Sequence, residues 1–279
     1  MASAPAPKPT TTAKKESSSG SSIFASLTMV ICIIIGFLLW KFVMGSPANF
    51  EGGDPETGHP KVGNYFGMVY KGGFIVPVLM GMLLMVIVFS FERFLVINKA
   101  SGTSSVDAFV KKIQGFLSSG NIDAAIVECD KQKGSVANVI KSGLRKYKEM
   151  ETDTVMDTEQ KCLAIQKDIE EATALEMPML EQNLTVIATL VSIGTLMGLL
   201  GTVTGMIKAF AGLATAGAPD QAQLANGISE ALINTATGIF TSALAIIMYN
   251  VFTSKIDKLT YSIDEAGFSI VQTYASTHK

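Results

Sequence analysis

One acid, Glu230, stands near the start of the last apolar run of the chain, and polar side chains follow it at helical spacing. Glu230, Asn234, Thr237 and Thr241 fall at i, i+4, i+7 and i+11 on one helix face, while Thr235, Gly238 and Ser242 share another. The preceding apolar run carries Thr185, Thr189, Ser192, Thr195, Thr202 and Thr204. A carboxylate in a membrane helix costs several kcal/mol unless it is hydrated, protonated or paired. Its chemistry there would be proton uptake and release. The plain alternative for Glu230 is a solvated carboxylate at a helix start, stabilised by the positive end of the dipole. Any single threonine can also satisfy itself on the carbonyl one turn back.

Depth relates the two runs. Thr202 lies six residues before Lys208, and Thr235 eight after Gly227. At 1.5 Å per residue they sit roughly 9 and 12 Å from the same membrane edge. Several copies of the chain around an axis could join them in one polar ring. Glu230 and Thr235 differ by about 140° round an ideal helix, so both face one pore only if the helix is irregular or the pore is lined obliquely. Gly194, Gly198, Gly201 and Gly205 recur every three or four residues. That spacing lets helix backbones approach closely in a membrane, and helix packing alone would explain it.

Four stretches free of Asp, Glu, Lys and Arg must position these groups: 23–40, 72–91, 182–207 and 231–254. A bilayer core needs roughly 20 helical residues, so each can span it. A composition of 48% hydrophobic and 16% charged residues agrees, and the net charge of −2 points to no particular partner. Lys8, Lys14 and Lys15 precede the first run, Arg93, Lys99, Lys111 and Lys112 follow the second, and Lys255 and Lys258 follow the fourth. The positive-inside rule makes those three regions cytoplasmic, with both termini inside. The expected organisation is all-α and multi-pass. A disordered tail occupies 1–22, with spans at 23–44, 72–97, 181–208 and 228–254. Periplasmic connections fall at 45–71 and 209–227, a cytoplasmic helical region at 98–180, and a C-terminal cytoplasmic tail at 255–279. The first run also fits the start of a signal peptide, with Ser46-Pro47-Ala48 as a loose cleavage site. Its length and its Trp40-Lys41 ending favour an uncleaved span.

The 98–180 region reads as short helices. Ser105 caps 106–117, Gly120-Asn121 breaks before 122–132, and Gly134-Ser135 breaks before 136–147. A longer helix, 157–175, sets Ile165, Ile169, Ala172 and Leu175 on one stripe, which Lys161 and Asp168 interrupt. Such a region is too small and divided for an independent enzyme core. It carries no phosphate loop, metal cluster or nucleophile motif, and His59 and His278 lie in a loop and at the C-terminal end. Cys32 reads as a membrane cysteine, and Cys129 and Cys162 as reduced and structural. The reading is therefore of a non-enzyme without cofactor or metal.

The text Gly198-Leu199-Leu200-Gly201-Thr202-Val203-Thr204-Gly205, then 227–238 from Gly227 through Glu230 and Thr235 to Gly238, then Ala245 to Phe252, resembles the MotA/TolQ/ExbB proton-channel family, most nearly its ExbB branch. The resemblance covers 184–259 and extends more weakly back to Phe74, through Phe91-Glu92-Arg93-Phe94 and Gly120 to Ala125. It implies an inner-membrane subunit forming a pentameric ring of long helices, without cofactor. That ring would surround ExbD-like single-span partners whose membrane aspartate carries the proton, and would energise TonB-dependent import across the outer membrane. Thr202, Glu230 and Thr235 match the family's pore hydroxyls and acid. Asn226 stands where a proline often precedes the glycine, and the first span is additional. A TolQ-like role in outer-membrane integrity and a passive membrane scaffold are the alternatives. No second acid lies well inside the spans, which independently suggests a partner helix that supplies the carrier.

Overall fold

The computed structural model describes residues 18–56, 58–215 and 221–278, all of it helices and connections. The expected tail at 1–17 lies outside the described residues. α1 (Ser18–Leu38) begins within the segment expected to be disordered and runs on into a wider π turn, Leu39–Met44. Short 3₁₀ turns and α2 (Tyr65–Tyr70) lead to α3 (Ile75–Ser101). Four shorter helices follow: α4 (Val106–Ser118), α5 (Ile122–Gln132), α6 (Gly134–Thr152) and α7 (Thr158–Glu181). The chain closes with α8 (Leu184–Thr215) and α9 (Gln221–Thr277).

Among the described residues, four helical stretches are long and apolar enough to cross a membrane. α9, with 57 residues, is about 85 Å long, far more than a 30 Å bilayer core requires. Its second half is the axis of the α4–α7 bundle. Ile256, Leu259, Ile263, Ala266, Ile270 and Tyr274 recur every three or four residues, and all are buried. Residues 255–277, expected as a tail, are thus the continuation of the last spanning helix. Phe109 and Ile113 of α4, Ile140 and Leu144 of α6, and Ile165 of α7 complete that core.

Local chemistry sets the breaks. Asn121 Oδ1 accepts from Ala124 N at 3.0 Å and starts α5. Asp157 and Gln160 form a reciprocal capping box at α7. Ser105 occupies the N-cap of α4 without a side-chain bond. The α3–α4 connection is held instead by buried Gln132, whose Nε2 donates to Ser101 O and Ser104 O, both at 2.8 Å. On the α7 stripe Ile165 and Ile169 are buried, but Leu175 is 81% exposed. The interrupting Asp168 accepts from Ser142 Oγ at 2.7 Å.

α1 packs on α3 where Gly36 meets the backbone of Pro77 and Gly81. Its opposite face presents Leu27, Val30, Ile34 and Leu38 outward. The 45–71 connection is built around a ring cluster. Trp40 stacks on Tyr70 at 4.7 Å, and buried Phe50 meets Tyr70 edge-on at 5.5 Å. Asn49 Nδ2 ties this turn to Val43 O at 2.8 Å and Met44 O at 2.9 Å.

Candidate functional site

α8 and α9 form an antiparallel hairpin along most of α8, and glycine sets its closeness. Gly194 and Gly198 face Gly238, Gly201 faces Asn234, and Gly205 faces Ala231 and Gly227. A Cβ on Gly238 would stand 2.8 Å from Gly198 Cα, nearer than real contacts allow. The two backbones therefore touch with no side chain between them.

This approach joins Thr202 and Thr235. Their hydroxyls are in hydrogen-bond contact. Thr202 Oγ1 also reaches Gly198 O at 3.2 Å, and Thr235 Oγ1 reaches Ala231 O at 3.1 Å. Each hydroxyl has one hydrogen and can both donate and accept. Either threonine can donate to the other while the second donates to its carbonyl, so the bond can run in either direction. A hydroxyl pair of this kind relays a hydrogen bond without storing charge.

Glu230 is placed apart from that pair. α9 begins at Gln221, so the expected connection at 209–227 is largely helix and Glu230 sits in the third turn, beyond the reach of the dipole. Its carboxylate instead accepts from Lys208 Nζ at 2.6 Å. Gly73, at φ +78, lies directly against the same carboxylate, where a side chain would collide. Of the three polar residues singled out from sequence, the structure brings two together and sends the third to Lys208.

Asn234 links these layers. It is fully buried, and its Nδ2 donates to Gly72 O at 2.8 Å and Glu230 O at 3.0 Å. It thereby fixes the start of α3 to the α8–α9 hairpin. An amide in the middle of an apolar run was the available signal. Lys208 gave less warning, because its pairing depends on the register of two helices.

Residues 131–265 match the model of the MotA/TolQ/ExbB proton channel family. The chain is 32% identical over 124 residues to the Tol-Pal system protein TolQ of Pseudomonas aeruginosa, covering 44% of this chain and 54% of that one. It is 31% identical over 112 residues to a putative biopolymer transport protein, ExbB-like 3, of Synechocystis, covering 39% and 53%. With the biopolymer transport protein ExbB of Pseudomonas putida it shares 35% identity over 86 residues, covering 31% and 26%. The chain thus spans about half the length of the first two relatives.

Proposed function

We propose that the chain, whose residues 131–265 match the MotA/TolQ/ExbB proton channel family, is an ExbB-like subunit of a proton-driven motor in the bacterial inner membrane. The observation that carries the reading is the Thr202–Thr235 hydroxyl contact at the glycine-packed centre of the hairpin. Several copies, five by family analogy, surround single-span ExbD-like partners. A membrane aspartate of the partner takes a proton from the periplasmic side and carries it past the threonine layer. Both termini face the cytoplasm. A TonB-like protein transmits the motion to the outer membrane, energising import.

The energetics fit that role. One proton crossing 100 mV releases about 2.3 kcal/mol, so a few protons supply a modest mechanical step. Thr202 and Thr235 hold no charge, so a partner carboxylate meeting them can be neutral in transit. Glu230, held by Lys208 and lodged against Gly73, stands at the entrance. A second reading, a TolQ-like subunit energising outer-membrane integrity, is favoured by the similarity to the Pseudomonas aeruginosa protein.

The test is proton flux into proteoliposomes holding the complex purified with its own partners. Thr202→Val removes the hydroxyl at nearly constant volume, and Thr202→Ser keeps it. Flux lost in the first and retained in the second supports conduction through this layer. Equal flux in both would return the chain to the role of a passive scaffold. Uptake and detergent-sensitivity assays of a deletion strain separate the ExbB-like from the TolQ-like reading.

A further inference from the structure

The α8–α9 contact repeats in layers seven residues apart, running in opposite directions along the two helices. Thr202 meets Thr235. One layer on, Thr195 Oγ1 donates to Ser242 Oγ at 2.9 Å. The next layer is Ala188 with Tyr249, and both line a cleft of about 390 Å³ that Thr185, Thr253, Glu181 and Asp257 also wall. From Thr202 to Leu184, where α8 begins, the helical rise is about 27 Å, and Glu181 stands beyond it at the end of α7.

Two further hydroxyls lie along this line. Ser242 is buried at 7% exposure, and its Oγ occupies the space where a Cβ on Gly194 would stand. The glycine makes room for that hydroxyl as well as for the backbone. In the cleft, the buried Thr253 Oγ1 has no hydrogen-bond partner among the described residues. A buried hydroxyl without a partner is costly, and a water entering from the cleft would satisfy it. Thr195 itself is outward-facing, beside a weak 3.4 Å bond to Val191 O.

We propose that Thr195, Ser242 and the cleft walled by Tyr249, Thr253, Glu181 and Asp257 form the release half of the proton track. The proposal rests on the proton-conducting reading of the hairpin. A proton leaves the partner's carboxylate for water below the Thr202–Thr235 layer. It passes along water and the Thr195–Ser242 pair, each O–H bond broken being matched by one formed. Glu181 or Asp257 accepts it and returns it to bulk water at the mouth. The hydroxyls store no charge, and no other reactant is needed.

The experiment is again flux into proteoliposomes by the purified complex. Thr195→Val, Thr195→Ser and Ser242→Ala are compared with the unaltered chain and with Thr202→Val. The expected result is a loss of about tenfold or more in Thr195→Val and Ser242→Ala, with Thr195→Ser near the unaltered rate and complex mass unchanged. Normal flux in Thr195→Val and Ser242→Ala, with Thr202→Val blocked, overturns the release track and leaves the proposed function standing. Normal flux in all three overturns the proposed function as well. Where Thr195→Val fails to assemble, Ser242→Cys decides, in a chain with Cys32, Cys129 and Cys162 replaced by serine. Its modification by a small water-soluble thiosulfonate from the cleft side supports the track, and protection from it overturns the track.

Discussion

Lys208 Nζ stands 2.6 Å from Glu230 Oε1, joining the far end of α8 to the third turn of α9. The acid side chain is 12% exposed and the lysine 59%, so water screens the pair from one side. A coupling of about 0.2–1 kcal/mol is the expected scale. A double-mutant cycle with Lys208→Met and Glu230→Gln measures it through thermal unfolding in detergent. The coupling should shrink as salt is raised from low to high concentration. Additive losses at low salt would mean the pair holds nothing.

Arg93 should matter far more to stability. Its side chain is 2% exposed, it pairs with Glu92, and its Nη1 donates to Met179 O and Leu180 O, each at 3.1 Å. Those carbonyls close α7 just before Asn183, whose φ of +63 turns the chain into α8. The guanidinium thus caps the end of one helix and fixes where the spanning helix begins. Arg93→Ala leaves the partly exposed Glu92 carboxylate and two carbonyls without this partner, at a cost of about 1–3 kcal/mol. Arg93→Lys should recover only part of that, because an ammonium lacks the planar fork. Thermal melts of both variants check the order, and equal melting of Arg93→Lys and the unaltered chain would contradict it.

The spans are legible because a water-facing chain rarely goes 18 to 26 residues without a charge, whereas a bilayer core demands it. The breaks at Asn121 and Asp157 are legible because their capping residues act locally. Residues 255–277 read as a tail although Ile256, Leu259, Ile263, Ala266 and Ile270 keep helical spacing. Charged residues such as Lys258, Asp264 and Glu265 dilute that stripe, and many of its packing partners lie about a hundred or more positions away. In the site, glycine spacing and the shared depth of Thr202 and Thr235 follow from position along the chain alone. The pairing of Glu230 with Lys208 does not, since a shift of one residue between α8 and α9 would remove it. Asn234 is visible on the stripe, but its bond to Gly72 O lies 162 positions away.

Gly238 tests whether close helix approach sets the threonine contact. An added Cβ would meet Gly194 O at 2.6 Å and Gly198 Cα at 2.8 Å, both backbone atoms that cannot turn aside. Gly238→Ala must therefore push α9 from α8. Overpacking of this kind costs about 1–3 kcal/mol, and the displacement also separates Thr202 from Thr235. The variant should melt earlier and conduct more slowly, by an amount comparable with Thr202→Val. Gly115, with open space around it inside α4, is the control, and Gly115→Ala should not lower the melting point and should leave conduction unchanged.

Cys129 gives the bundle a signature at alkaline pH. Burial among α5 and its neighbours pushes the thiol from 9.0 up to about 12, with the charge of Asp130 adding to the rise. The unfolded chain releases this proton near 9.0, while the folded chain holds it until about 12. Over that window the folded state binds more protons, so the group's contribution to stability is complete below the lower value and falls as pH rises. Thermal melts from neutral to strongly alkaline pH should decline more steeply for the unaltered chain than for Cys129→Ala. The difference between the two curves removes the lysines and tyrosines that titrate in the same range. In the folded chain at neutral pH, iodoacetamide should leave Cys129 unmodified, because the nucleophile is the thiolate. Parallel melting curves together with rapid alkylation would show that the thiol is not buried.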